Sequence, residues 1–365
     1  MKATNNYNVY SVITGTGSYI PERRVLNEDF LQNEFYGSDS IRLTKSNQAI
    51  IEKFASISGI KERRYVADDL TASDIACFAA QEALASAHID RETLDYLIVA
   101  HNFGDIRSES RRSESVPSIS ARVKYKLGIK NPRTVCYDIQ FGCPGWLQGV
   151  IQADCFIKTR NAKRVLVIGA ETLSRISDPH DVDSMIYSDG AGATIFEAKE
   201  SNEPVGILSH LSRTDTLNHA FLLHMGKSYN PDCSSGDLFL KMDGHKVYEY
   251  ALGTVPLVVK ECLEKAQLSI NDISKVLLHQ ANVKMDEAIL KRVYKLYTIQ
   301  DYSLDIMPMI IEKLGNSSVA TLPTLADLLY KGKLDGHSIS GGSILVFASV
   351  GAGMNINALT YKVPG

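Results

Sequence analysis

One part of this chain repeats in another, and the repeat constrains the fold more than any single motif. Residues 82–100 read EALASAHIDRETLDYLIVA, and residues 261–279 read ECLEKAQLSINDISKVLLH. Glu82 matches Glu261, Leu84 matches Leu263 and Ala87 matches Ala266, while Leu97-Ile98-Val99 meet Val276-Leu277-Leu278. Each copy is a helix-period stretch, a short polar turn and an apolar run. The copies start about half a chain apart, far too long a spacing for a solenoid. The pattern predicts two fused α/β halves with strands too apolar to face water. At the last position of the repeat, His279 stands where the first copy has Ala100. The second copy places a chemical group at a strand end where the first places none.

A second such junction is Asp138-Ile139-Gln140-Phe141-Gly142-Cys143-Pro144-Gly145-Trp146. The residues up to Phe141 read as a buried strand, and Gly142 breaks it. Pro144 suits the first turn of a helix, where its missing N–H leaves nothing unpaired. Trp146, Leu147, Val150, Ile151 and Cys155 then recur at helical spacing. Cys143 is therefore expected where a helix begins, and the positive end of a helix favours thiolate, the nucleophilic form. A small buried cysteine would read the same way in isolation. A third junction is Leu314-Gly315-Asn316-Ser317-Ser318-Val319-Ala320, ahead of the apolar-periodic stretch 322–329. Alone, His279 reads as a satisfied core histidine and Asn316 as a helix cap. A cysteine, a histidine and an asparagine, each at an element junction where α/β folds place active sites, point instead to one catalytic group.

These strings resemble the β-ketoacyl-acyl-carrier-protein synthase III family of the thiolase superfamily, along nearly the whole chain. The resemblance includes Ile13-Thr14-Gly15-Thr16-Gly17-Ser18-Tyr19-Ile20-Pro21, Gly59-Ile60-Lys61-Glu62-Arg63-Arg64 and the cysteine string. It continues through Ile168-Gly169-Ala170-Glu171, Ser188-Asp189-Gly190-Ala191-Gly192-Ala193, His279-Gln280-Ala281-Asn282 and Gly315-Asn316-Ser317-Ser318. It closes with Val350-Gly351-Ala352-Gly353-Met354. The fold it implies is the thiolase fold, duplicated α/β halves in a five-layered αβαβα arrangement. The first half, 1–200, carries the nucleophile, and the second, 201–365, carries the histidine and asparagine.

The implied chemistry is acyl transfer to Cys143, then decarboxylative Claisen condensation with a malonyl or 3-oxoacyl thioester. The resemblance makes Cys143, His279 and Asn316 the catalytic triad. The backbone N–H groups of Cys143 and Ala352, with Gly351 as neighbour, become the oxyanion donors. Val116 and Phe141 become acyl-pocket residues, with Val116 reaching across a homodimer interface into the partner's pocket. Lys284, Lys291 and Arg292, on the helix after His279, match positions that dock an acidic acyl carrier protein. By residue pattern alone they are an ordinary solvated helix face. The substrates are acyl-CoA or acyl-carrier thioesters, with no metal or other cofactor.

Two departures separate the chain from the family's housekeeping members. Lys53 and Ile57 stand where those enzymes have a tryptophan and an arginine that clamp the adenine of coenzyme A. Residues 102–117 are longer and more charged than the usual loop, and Val116 is smaller than the usual ring. Both departures point to a primer other than acetyl-CoA. Glu114 lies near enough to Val116 to be considered as a base acting in trans, although an exposed loop carboxylate is the simpler reading. The leading expectation is an initiator of fatty-acid synthesis. The alternatives are a specialised ketosynthase of the dialkylresorcinol type with a non-acetyl primer, a non-condensing acyltransferase, or a silent partner subunit, which an intact triad disfavours.

Composition sets the remaining bounds. A chain of 365 residues, 44% hydrophobic and 22% charged, can bury a large core. A net charge of −3 disfavours binding to nucleic acid. No apolar run approaches a membrane span, and residues 1–7 lack the apolar centre of a signal peptide. The six cysteines show no paired metal-ligand spacing, so free thiols in a reducing, cytoplasmic setting are expected. Strands are expected near 9–17, 96–101, 134–139, 164–170, 193–197, 205–211, 275–279 and 343–349. Helices are expected near 70–87, 118–126, 145–159, 247–266, 282–294 and 323–331. The stretches 27–50, 102–117 and 213–245 read as irregular.

Overall fold

The apolar runs of the sequence become the inner strands of two sheets in a computed structural model, which describes residues 8–365. The amino-terminal segment read for a leader lies outside the described residues. The first sheet holds β1 (Asn8–Tyr19), β2 (Tyr96–Ala100), β3 (Val135–Ile139), β4 (Arg164–Thr172) and β5 (Asp189–Ser201), in the order β1-β5-β4-β2-β3. β2 runs parallel to both β3 and β4, and β5 runs antiparallel to β4 and β1. The second sheet holds β6 (Gly206–Thr214), β7 (Lys275–Leu278), β8 (Ile344–Gly351) and β9 (Asn355–Lys362), in the order β6-β9-β8-β7. β7 is parallel to β8, and β9 is antiparallel to both its neighbours. Strand for strand, the second sheet repeats the first without its edge strand.

The helices complete the repeat. Those of eight residues or more are α1 (Asn47–Ser58), α2 (Ala72–Ala87), α3 (Ile119–Lys126), α4 (Gly145–Lys158), α5 (Gly244–Lys265), α6 (Val283–Leu296) and α7 (Thr321–Tyr330). The two sequence copies become α2 and β2 in one half and α5 and β7 in the other. Each has a 3₁₀ turn between helix and strand, at Arg91–Thr93 and at Ile270–Asp272. α4 and α7 lie between the sheets. There Trp146, Val150, Leu322 and Leu325 pack with Val167 of one sheet and with Leu277 and Phe347 of the other. α2 and α3 cover the outer face of the first sheet, and α5 and α6 that of the second. The five layers of the expected thiolase fold are therefore present.

The differences from the sequence reading have physical causes. Cys155 is exposed rather than part of the buried stripe of α4, because that helix turns its last solvent-facing positions outward. Elements that arise where none is expected include α1, the closing strand β9, a short helix at Ile311–Leu314, and two-stranded ladders of Arg23–Leu26 with Glu62–Tyr65 and of Asp105–Ile106 with Ser113–Glu114. The irregular stretch 213–245 contains a hairpin of Leu223–Gly226 with Phe239–Met242. Among the described residues no helix is long and apolar enough to cross a membrane. No group of three or more His, Cys, Asp or Glu side chains among them is placed to hold a metal ion.

Candidate active site

The two central helices begin at the same place, and the functional side chains gather there. After β3 the chain turns sharply at Gly142, whose φ of +66° is a left-handed conformation that glycine adopts without strain. Pro144 is the N-cap residue of α4. Cys143 therefore sits at the helix start, as expected. Its turn is fixed from the other half of the molecule. A Cβ on Gly351 would stand 2.4 Å from the Cys143 nitrogen, and one on Gly142 would stand 2.6 Å from the Ala352 nitrogen. Backbone meets backbone at the nucleophile, which only glycine permits on both sides.

Cys143 accepts a hydrogen bond from Ser318 Oγ at 3.2 Å. Enclosure pushes its thiol up to about 11, the nearby Glu171 carboxylate acts in the same direction, and the Ser318 bond opposes both. The helix start favours thiolate, but desolvation of the sulfur outweighs it, so the thiol is the resting form. Cys143 keeps some accessible surface because it lines a cavity.

His279 follows β7 directly, and its N–H donates to the Ala348 carbonyl at 2.8 Å, extending the β7–β8 pairing by one residue. Burial pulls its imidazole down to about 4, so the ring is neutral at working pH. Its Nδ1 is buried without a hydrogen-bond partner among the described residues. Asn316 is held by its backbone between the Ile186 carbonyl, at 3.0 Å, and the Ser188 N–H, at 2.8 Å. It does not cap α7, which starts at Thr321. Its Oδ1 accepts the Ser318 N–H at 2.8 Å instead, an Asx turn that leaves the amide NH₂ free.

Cys143, His279, Asn316, Gly351 and Ala352 all line one cavity of about 1140 Å³. Its walls are mainly apolar and include Phe103, Leu173, Met225, Leu240 and Met242. Lys53 and Ile57 of α1 also line it. Val116 lies outside this cavity at 88% exposure. Phe141 packs against the central core around Trp146 and does not line the cavity either. Glu114 accepts from Arg107 at 2.8 Å and from Arg122 at 3.1 Å. These bonds hold its carboxyl below the usual range, so it is an ion-paired loop residue rather than a poised base. Lys284, Lys291 and Arg292 are exposed on α6. Lys291 pairs with Glu287 at 3.6 Å, and Arg292 donates to the Leu252 carbonyl at 2.8 Å. Lys284 makes no ion pair among the described residues.

The sequence reading assigned no role to Asn102, Glu171, Tyr187 or Ser318. All but Glu171 line the cavity, and Glu171 hydrogen-bonds to Asn102. Two signals were available. Glu171 is a carboxylate inside an otherwise apolar strand run, and Asn102 follows β2 much as His279 follows β7.

Comparisons with known proteins agree with this geometry. Residues 137–216 match the family described as 3-oxoacyl-[acyl-carrier-protein] synthase III, and residues 263–363 match its C-terminal counterpart. The chain is similar to the solved 3-oxoacyl-[acyl-carrier-protein] synthase III of Aquifex aeolicus VF5, with 28% identity, TM-score 0.77 and coverage of 96% of this chain and 99% of that one. It is similar to the synthase III of Thermus thermophilus, with 28% identity, TM-score 0.78 and coverage of 97% and 99%. The Pseudomonas aeruginosa PAO1 enzyme matches at 25% identity and TM-score 0.78, over 98% of this chain and 99% of that one. The matched segments hold the cysteine turn in one half and the histidine and asparagine in the other, and on that agreement of sequence, fold and site the chain belongs to the 3-oxoacyl-[acyl-carrier-protein] synthase III family of acyl-transferring, condensing enzymes.

Proposed function

We propose that the chain loads an acyl group onto Cys143 and joins it to a malonyl thioester with loss of carbon dioxide, a 3-oxoacyl thioester being the other acceptor class. The observation that supports this most is the convergence of Cys143, His279 and Asn316, from both halves, on one cavity. In loading, the Cys143 sulfur bonds to the thioester carbon. The donor's C–S bond breaks, and the donor thiol leaves with the proton that Cys143 gives up. The N–H groups of Cys143 and Ala352, at the glycine contact, are the proposed donors to the oxyanion. In condensation, the malonyl carboxylate leaves as carbon dioxide and its electron pair forms an enolate. The free Asn316 NH₂ and the neutral His279 ring are the donors for the enolate oxygen, since a neutral amide cannot be deprotonated there. The enolate carbon then attacks the acyl carbon, and Cys143 leaves as thiolate. The reading calls for no metal or prosthetic group. Six free cysteines fit a reducing, cytoplasmic setting. The unpaired edge of β3 and the exposed Val116 and Val135 fit a homodimer.

The primer is better read as longer than acetyl, which favours a specialised ketosynthase over a housekeeping initiator. Lys53 and Ile57, which the resemblance sets at the positions of the family's adenine clamp, line the cavity, so a stacking interaction of about 1 kcal/mol is missing for coenzyme A. The apolar walls gain about 0.8 kcal/mol for each methylene they bury. In a competition for Cys143, read by intact-protein mass spectrometry, six- to eight-carbon donors are expected to load ahead of acetyl-CoA. Val116→Phe is expected to shift that preference toward shorter chains if Val116 of one copy enters its partner's cavity. Acetyl-CoA loading fastest in the parent protein would overturn the primer reading, while absence of any adduct on Cys143 would overturn the ketosynthase reading itself.

The carrier protein is proposed to dock on α6. Arg292 is engaged with α5, so the informative variant is Lys284→Glu with Lys291→Glu. A rise in KM on the order of tenfold is expected for carrier-bound substrate, with a small thioester substrate unaffected. An equal change for both substrates would locate the dock elsewhere.

A further inference from the structure

An unbroken hydrogen-bonded chain of side chains ends on the nucleophile. Asn102, just past β2, donates its backbone N–H at 3.0 Å and its amide Nδ2–H at 2.8 Å to Glu171 Oε2 on β4. The same amide nitrogen donates to Ser318 Oγ at 3.1 Å. Ser318 Oγ donates to Cys143 Sγ at 3.2 Å. We propose that Glu171 and Asn102 are positioning residues that fix the direction of this chain, so that the Ser318 hydroxyl gives its hydrogen to the Cys143 sulfur and stabilises the thiolate during acyl transfer.

The argument rests on counting hydrogens. A carboxylate only accepts, an amide nitrogen carries two hydrogens, and a hydroxyl carries one. Burial pushes the Glu171 carboxyl up to about 7, so above that pH Glu171 is an acceptor only, and the Asn102 amide nitrogen must face it. Its second hydrogen then goes to Ser318, whose oxygen is used as an acceptor. The single Ser318 hydrogen is left for the sulfur. Turned over, the Asn102 amide would set its oxygen against the Glu171 carboxylate and would draw the Ser318 hydrogen away from Cys143. Glu171 excludes that orientation. It is 1% exposed, so water cannot satisfy it in Asn102's place.

Glu171 also acts on Cys143 directly, and in the opposite sense. Its charge repels the thiolate through space, whereas its hydrogen bonds organise the donor that favours it. The other titratable groups facing this chain are His101 and Asp189 beside Glu171, and Tyr187 near Cys143. His279 lines the same cavity. The inference rests on Cys143 as the reacting thiol but not on condensation, so it is tested on the thiol itself.

The test is the pH profile of Cys143 alkylation by iodoacetamide, with the modified cysteine identified by peptide mass spectrometry. Ser318→Ala is expected to raise the thiol pKa by about one unit, a tenfold loss of thiolate at fixed pH. Asn102→Leu frees the Ser318 hydroxyl from its fixed direction and raises the pKa alone, but adds nothing in the Ser318→Ala background, where no hydroxyl is left to orient. In Glu171→Gln the Asn102 backbone N–H, which donates to this side-chain oxygen at 3.0 Å, keeps an oxygen turned toward Asn102 while the repulsion is removed, so the thiol pKa is no higher than the parent's. Glu171→Gln decides the matter if Asn102→Leu does not fold. An unmoved profile in Ser318→Ala, additive shifts in the double variant, or a raised pKa in Glu171→Gln would each overturn the proposal. A normal alkylation profile in a protein that never forms an acyl-enzyme would count against the functional reading alone.

Discussion

Cys143→Ala is expected to form no acyl adduct with any thioester donor and to lose turnover by on the order of 10⁴-fold or more. The size of the effect follows from the turn between β3 and α4. Gly142 and Gly351 bring the Cys143 backbone against Ala352 with no space for another residue to substitute. The remaining cysteines give no alternative nucleophile: none of them lines the cavity. The fold should survive the change, because the sulfur makes a single side-chain hydrogen bond, from Ser318. Trp146 is the single tryptophan, 1% exposed and three residues further on, and its emission is expected to keep its buried character in the variant. In the parent, a thiol near 11 means that alkylation rises about tenfold per pH unit from 8 to 10, as the thiolate fraction does, above the pH near 7 at which the Glu171 carboxyl ionises. His279, near 4, contributes no inflection in that range. Turnover by Cys143→Ala with an adduct on another residue would remove Cys143 from the mechanism.

The second large effect is at Asn316. Asn316→Ala is expected to lower malonyl decarboxylation and condensation by about 10²- to 10³-fold, the usual loss for one oxyanion-type donor, and to leave loading of Cys143 within a few fold of the parent. The separation arises because the Asn316 amide oxygen is already used by the Ser318 N–H. The amide therefore presents only hydrogens to the cavity, which suits an enolate oxygen and does nothing for the incoming thioester. Asn316→Asp sharpens the test. It keeps the acceptor for Ser318 but sets negative charge where the enolate forms, so it should be at least as inactive as alanine. Single-turnover loading and carbon dioxide release, measured separately, read the two steps. Failed loading with intact decarboxylation would reverse the assignment of steps.

The duplicated frame was legible because both copies pair an apolar strand with a helix-period stretch. The buried runs at Leu97–Ala100 and Val276–Leu278 have no other place to go. β9 was missed because it buries polar groups. Asn357 and Thr360 are fully enclosed, bonded to Gln148 of α4 and to Ser209 of β6, and no one-dimensional pattern announces such partners. α1 was missed because its apolar stripe of Ile50, Ile51 and Phe54 is short, and Lys53 and Ile57 turn to the cavity instead of the core. Cys143, His279 and Asn316 were legible because each ends or begins an element. The Glu171–Asn102–Ser318 chain was not, because it joins β4, the end of β2 and the approach to α7, which come together only when the sheets and central helices assemble.

The backbone contact between the Gly142 turn and the Gly351 loop separates two kinds of inheritance in this molecule. The reacting sulfur is located by the absence of side chains at two positions, so its placement is insensitive to the bulk of any neighbour that varies. The acyl chain is measured by side chains on other elements: Leu173 beyond β4, Met225, Leu240 and Met242 on the hairpin, Lys53 and Ile57 on α1. Substrate preference can therefore drift, residue by residue, while the chemistry stays in register.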